Sequence, residues 1–208
     1  MNHLIKVIIP AYTYAATALA VLHVGATPIM VDIQEDFNIS VFQIEKAITS
    51  KTKAIIPVDF AGWPCDYDEI NKLIKSKAAL FDSKNEKQRL LKRILVISDS
   101  AHAIGAKYHN KYIGNSNADI TVFSFHAVKN VTTAEGGAVC LNLPYPFNNQ
   151  SEYDYLRCYS LNGQTKDAFT KSKVGGWKYD IIYPGLKINM PDVLAAIGVA
   201  QLPAYFSD

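Results

Sequence analysis

The stretch that decides the fold runs from Val122 to Val139, VFSFHAVKNVTTAEGGAV. With the two residues before it, the run Ile120 to Phe125 is short, apolar and rich in β-branched and aromatic side chains, which predicts a strand. A polar turn carrying Ser124, His126 and Lys129 follows, then two threonines, Glu135, the pair Gly136-Gly137 and a second apolar run. Most lysines are solvated surface charges. A lysine just past a strand end, with a hydroxyl before it and glycines after it, is placed to meet a ligand.

Working outward, strands and helices alternate. Ile5 to Pro10 reads as a buried strand, and the Ala-rich stretch to Val24 as a helix closed by Gly25. Thr27 to Val31 is a second strand. Ser40 with Gln43 has capping-box spacing and opens a helix through Ile48. Lys53 to Val58 is a third strand, and Asp66 with Glu69 repeats the capping signal before a helix from Tyr67 to Ser76. Lys75 to Arg93 breaks the rhythm and reads as a partly helical surface insertion. Ile94 to Ile97 resumes as a strand ending in Ser98-Asp99-Ser100-Ala101-His102. This alternation predicts an α/β fold with a mainly parallel, doubly wound sheet flanked by helices.

The flanking segments are less regular. Lys107 to Ile113 reads as a hairpin, Pro144 to Gln150 as a loop, Glu152 to Tyr159 as a helix and Asn162 to Tyr179 as a mobile surface loop. Asn189-Met190-Pro191-Asp192 opens a last helix, with Pro191 suited to its first turn.

Bulk properties exclude several classes. A hydrophobic fraction of 49% over 208 residues can bury a sizeable core, and a net charge of +2 argues against a nucleic-acid surface. No apolar run approaches the roughly 18 residues of a membrane span. The start MNHLIKVIIP does not read as a signal peptide. The three cysteines, Cys65, Cys140 and Cys158, are widely spaced and form no CxxC pair, which fits a reducing cytoplasm.

In parallel α/β sheets, ligands gather at the carboxyl ends of strands. Tyr14, Asp99 and Lys129 all fall just past such ends. Asp99 follows an apolar run, so its carboxylate must be paired; taken alone it also suits a helix N-cap. A buried acid, a lysine, and hydroxyls and glycines around the lysine are together what pyridoxal phosphate requires. The lysine forms a Schiff base, the acid holds the pyridine nitrogen protonated, and hydroxyls and backbone amides bind phosphate.

Five segments then carry a resemblance, in order along the chain: IKVIIPAYTYAATALAVLHVGATPIMVDI, TKAIIPVDFAG, ISDSAHAIGA, FSFHAVKNVTTAEGGAV and YPGLKINMPDVLAAIGVAQL. Together they resemble the sugar-nucleotide branch of fold-type-I pyridoxal-phosphate aminotransferases, the DegT/DnrJ/EryC1/StrS family. The resemblance implies an aminotransferase that moves an amino group from glutamate to a keto group of a nucleotide-linked deoxysugar. It implies two half-reactions, a homodimer with sites at the subunit interface, and a role in polysaccharide synthesis. By the same resemblance Lys129 carries the internal aldimine and moves the proton, and Asp99 pairs with the pyridinium nitrogen. Tyr14 stacks on the ring or is an ordinary core tyrosine, Ser124 binds phosphate, and His102 lies near the 3-hydroxyl. His126 belongs to the lysine motif, with a structural role as its alternative. Lys187 and Asn189 correspond to positions that reach into the neighbouring subunit's site, although many members carry Asn and Arg there.

Against the family's pattern, residues 1–208 are expected to form a partial large cofactor domain, without the N-terminal phosphate-binding segment or the small C-terminal domain. A non-catalytic truncated member is therefore an alternative. A sugar 3-dehydratase, in which histidine replaces the lysine, conflicts with Lys129. A metal site built from His102, His109 and His126 has no ligand-like spacing.

Overall fold

A computed structural model describes residues 5–115 and 117–205. Residues 1–4, on which part of the leader reading rests, lie outside them.

The expected alternation forms a single six-stranded sheet. Its strands are β1 (Lys6–Pro10), β2 (Thr27–Val31), β3 (Thr52–Ile55), β4 (Leu95–Asp99), β7 (Ile120–Ser124) and β8 (Gly137–Leu141), in the order β2-β1-β3-β4-β7-β8. All neighbours are parallel except β7 and β8, which pair antiparallel across the lysine turn. β5 (Lys107–Tyr108) and β6 (Lys111–Tyr112) make the expected hairpin.

Side-chain alternation along these strands builds two cores. Ile8, Ile55 and Val96 face α2 (Val41–Ala47) and α3 (Tyr67–Ser76), where Ile44, Tyr67, Ile70 and Ile74 are buried. Val7, Ile9, Ala54 and Ile97 face α1 (Ala15–His23), which buries Thr17 and Val21. Both predicted caps form: Ser40 Oγ accepts from the Gln43 amide at 3.4 Å and Asp66 Oδ1 from the Glu69 amide at 3.1 Å. Between β4 and β7, Asp119 is buried against Arg93 in a two-pronged ion pair at 2.6 and 2.8 Å, and it also accepts from the Val96 amide at 2.9 Å.

Several boundaries differ from expectation. β3 stops at Ile55 rather than Val58; the Ile56 amide still bonds Ile8, but Pro57 has no N–H to continue the ladder. The insertion contains α4 (Glu86–Leu91), capped by Asn85. α5 (Asn149–Ser160) begins three residues early because Asn148 caps it, so it takes the end of the expected Pro144–Gln150 loop. The Asn162–Tyr179 segment holds a short helix, α6 (Ala168–Ser172), capped by Asp167 at 2.7 Å from the Thr170 amide. α7 (Asp192–Tyr205) starts one residue after Pro191, whose carbonyl accepts from Leu194 and Ala195.

Candidate active site

β2 lies on one side of β1 and β3 on the other, so the chain reverses its winding direction at β1. The crevice at such a switch point, beyond the strand carboxyl ends, is where doubly wound sheets hold ligands. A cavity of about 980 Å³ opens there. It is lined by Tyr12 to Tyr14 after β1, Phe60 after β3, Asp99 and His102 at the end of β4, and Ser124, His126 and Lys129 at the end of β7. Five of the seven predicted site residues (Tyr14, Asp99, His102, Ser124 and Lys129) thus share one cavity.

Strand pairing explains how they meet. Asp99 is opposite Val122 in the β4–β7 register, so Asp99, Val122 and Ser124 share the α1 face. The half-buried Asp99 carboxylate accepts a hydrogen bond from Thr17 Oγ1 at 2.7 Å and a longer one from the Ala101 amide at 3.3 Å. Thr17 has one hydroxyl proton and spends it on Asp99. Its 2.9 Å contact with Thr13 is therefore donated by Thr13. A relay Thr13–Thr17–Asp99 results. Thr17 was not singled out from sequence; its signal is a lone hydroxyl three residues after Tyr14 in a helix that is otherwise apolar up to His23.

Lys129 sits half-buried in a tight turn closed by its amide to the His126 carbonyl at 2.9 Å. Phe125 anchors both sides of the turn: its amide bonds Gly136 and its carbonyl accepts from Thr133, at 2.8 and 2.9 Å. The glycines let β8 close against β7, since a Cβ on Gly137 would meet the Phe123 carbonyl oxygen at 2.6 Å. From α7, Gln201 bonds both the amide and the carbonyl of Thr132, at 3.1 and 2.6 Å. His126 Nδ1 donates to the Glu135 carboxylate at 3.0 Å, which holds the ring on its own turn.

His102 faces the cavity, and its pKa is lowered. Partial burial is the larger cause, the nearby Lys129 charge adds to it, and Asp99 opposes both. The ring is therefore neutral at pH 7, able to donate from one nitrogen and accept at the other. Tyr14 is 83% exposed and lies along the cavity wall, so the ordinary-core alternative for it does not hold.

Lys187 and Asn189 lie elsewhere. Both are exposed, neither lines this cavity, and they hydrogen-bond to each other. Of the three histidines, His102 and His126 line the cavity, with His126 paired to Glu135, whereas His109 lies outside it, paired to Asp68 at 2.8 Å. Among the described residues no group of three His, Cys, Asp or Glu side chains is placed to hold a metal ion, and no helix is long and apolar enough to cross a membrane.

Sequence reasoning also did not single out Asp59. It is fully buried at 0% exposure on the far side of β4 from Asp99, and its carboxylate accepts from the Cys65 amide (2.9 Å) and from Tyr67 (2.8 Å), Ser98 (3.1 Å) and Ser100 (2.7 Å) hydroxyls. Burial raises its pKa, and these four donors pull against that rise.

Comparison with known proteins places the chain among related sequences and folds. An uncharacterised protein of Methanocaldococcus jannaschii, MJ1066, is 43% identical over 199 residues, which is 95% of this chain and 46% of that protein. The spore coat polysaccharide biosynthesis protein SpsC of Bacillus subtilis is 36% identical over 199 residues, again 95% of this chain and 46% of SpsC. The chain spans about half the length of these relatives. Among solved structures, the putative sugar aminotransferase Spr1654 from Streptococcus pneumoniae superposes in its PMP-form with a TM-score of 0.90 at 46% identity, over 98% of this chain and 51% of that one. Its PLP-form gives a TM-score of 0.88 at 44% identity, over 98% of this chain and 50% of that one. Residues 3–205 match one family model, and the chain belongs to the DegT/DnrJ/EryC1/StrS aminotransferase family.

Proposed function

We propose that the protein is a pyridoxal-phosphate-dependent aminotransferase that transfers an amino group from glutamate to a keto group of a nucleotide-linked deoxysugar. The observation that carries this reading is the convergence of Asp99 and Lys129 on one cavity at the switch point of the sheet. The SpsC and Spr1654 likenesses support it.

The residues fit the cofactor by charge and shape. When bound, pyridoxal phosphate supplies an electrophilic carbonyl and a ring that accepts electrons. Asp99 holds a proton on the ring nitrogen, and Thr17 keeps its carboxylate turned to the cavity. Lys129 supplies the amine nucleophile and then moves a proton at the substrate carbon. Tyr14 presents an exposed ring for stacking, Ser124 offers its hydroxyl to the phosphate, and neutral His102 lies beside Asp99 and Lys129 to bond a ring hydroxyl. Lys187 and Asn189 are exposed and outside their own chain's cavity, and a homodimer in which they reach the partner's cavity accounts for both facts. The three free thiols fit a reducing cytoplasm.

The test is an absorbance titration of the protein with pyridoxal phosphate beside Lys129→Ala. The expected result is a band at the edge of the visible that requires Lys129 and is abolished by borohydride. No Lys129-dependent band would refute a cofactor site in this cavity.

A further inference from the structure

The two faces of β4 carry two different polar arrangements. Asp99 faces α1 and the cavity; Ser98 and Ser100, on either side of it, face α3 and are 1% and 0% exposed. Their hydroxyls lie 2.6 Å apart and both donate to Asp59 Oδ2. Asp59 Oδ1 is tied to Cys65 and to Tyr67, whose hydroxyl also contacts Ser98. The main chain repeats the connection: the Asp59 amide bonds the Asp99 carbonyl at 3.0 Å, and the Asp99 amide bonds the Pro57 carbonyl at 2.9 Å.

We propose that Asp59 is a positioning residue for Asp99, gripping Ser98 and Ser100 from the far side of β4 so that the Asp99 carboxylate stays aimed into the cavity. This rests on the reading of Asp99 as the group that meets the cofactor ring.

Residue chemistry favours the assignment. An ionised carboxylate offers about four acceptor sites, and here four donors converge on it. Among the described residues Asp59 has no ion pair, so its burial is offset by hydrogen bonds alone. On the cavity side, among the described residues, Thr17 and the long Ala101 contact alone hydrogen-bond the Asp99 carboxylate. A rotation of the Ser98–Ser100 backbone would turn the carboxylate away from α1, and among the described residues Asp59 is the one side chain bonded to both flanking serines.

The experiment compares Asp59→Ala and Asp59→Asn with the unaltered protein, and has two arms. The first needs no cofactor. The ¹³C carboxyl resonance of Asp99, assigned by its loss in Asp99→Asn, shifts or broadens in folded Asp59→Ala. It stays in place in Asp59→Asn, whose amide can donate to the serine oxygens while its carbonyl still accepts from Cys65 and Tyr67. The second arm titrates pyridoxal phosphate: the dissociation constant rises at least tenfold in Asp59→Ala and stays within about threefold in Asp59→Asn. If Asp59→Ala does not fold, the double variant Ser98→Ala/Ser100→Ala replaces it and shows the same two effects. An unmoved Asp99 resonance in folded Asp59→Ala, or in the folded double variant Ser98→Ala/Ser100→Ala, overturns the proposal, as does an unchanged affinity of that variant where the unaltered protein binds. Absence of cofactor binding by the unaltered protein refutes the proposed function instead, and the resonance still decides the role of Asp59.

Discussion

Replacing Thr17 by valine isolates the hydrogen bond that orients Asp99. The two side chains have nearly the same shape, so no cavity forms, and the change exchanges a hydroxyl for a methyl at a position 5% exposed. The lost bond is 2.7 Å long and ends on a carboxylate, a type that contributes about 1.5–3 kcal/mol. The added methyl returns roughly 0.8 kcal/mol through burial. The net loss is then about 1–2 kcal/mol, because the polar term exceeds the apolar one. For a chain of this size each kcal/mol shifts the melting temperature by about 2–4 °C, so the variant melts roughly 2–8 °C lower. Urea denaturation followed by circular dichroism at pH 7 measures it, in a double-mutant cycle with Asp99→Ala. The expected coupling between the two sites is about 1.5–3 kcal/mol, the value of the bond itself. Additivity within about 0.5 kcal/mol would refute the relay.

Two further outcomes follow from buried charges. Arg93→Met strands the Asp119 carboxylate, 5% exposed, without its cation and lowers stability by about 3–5 kcal/mol in urea denaturation, more than any single change inside the cavity. Asp59→Asn changes how stability depends on pH. The folded-state pKa of Asp59 is raised above its ordinary 3.8, so the stability linked to its proton is complete below that pH and lost as pH rises through the folded value. Asparagine carries no such loss, so stability measured as Asp59→Asn minus the unaltered protein increases from pH 4 to pH 7. A flat difference over that range would contradict the raised pKa.

Local signals were legible and long-range ones were not. The Ser40 and Asp66 caps could be read because each bonds an amide three residues away. The end of β3 was misplaced because an apolar run says nothing of the hydrogen bond that Pro57 cannot make. α6 escaped notice because Asp167 is its sole clear start signal within a Lys-, Gly- and Ser-rich stretch. Thr17 and Asp59 escaped for another reason: the partner of Thr17 is 82 residues away, and the two serines that Asp59 grips are 39 and 41 residues away.

Sequence alone determined the succession of strands and helices and the identity of Asp99 and Lys129 as chemical groups. Both follow from periodicity and from residue type just past a strand end. Tertiary structure decided which of those groups meet. Parallel pairing of β4 with β7 brought Asp99 and Ser124 to one face, and the packing of α1 supplied Thr17 to that carboxylate. The same pairing turned Ser98 and Ser100 toward Asp59 on the opposite face. Lys187 and Asn189 were left outside the cavity, because their segment pairs with Leu161 instead. Register and packing set these meetings, and they depend on contacts between residues far apart in the chain.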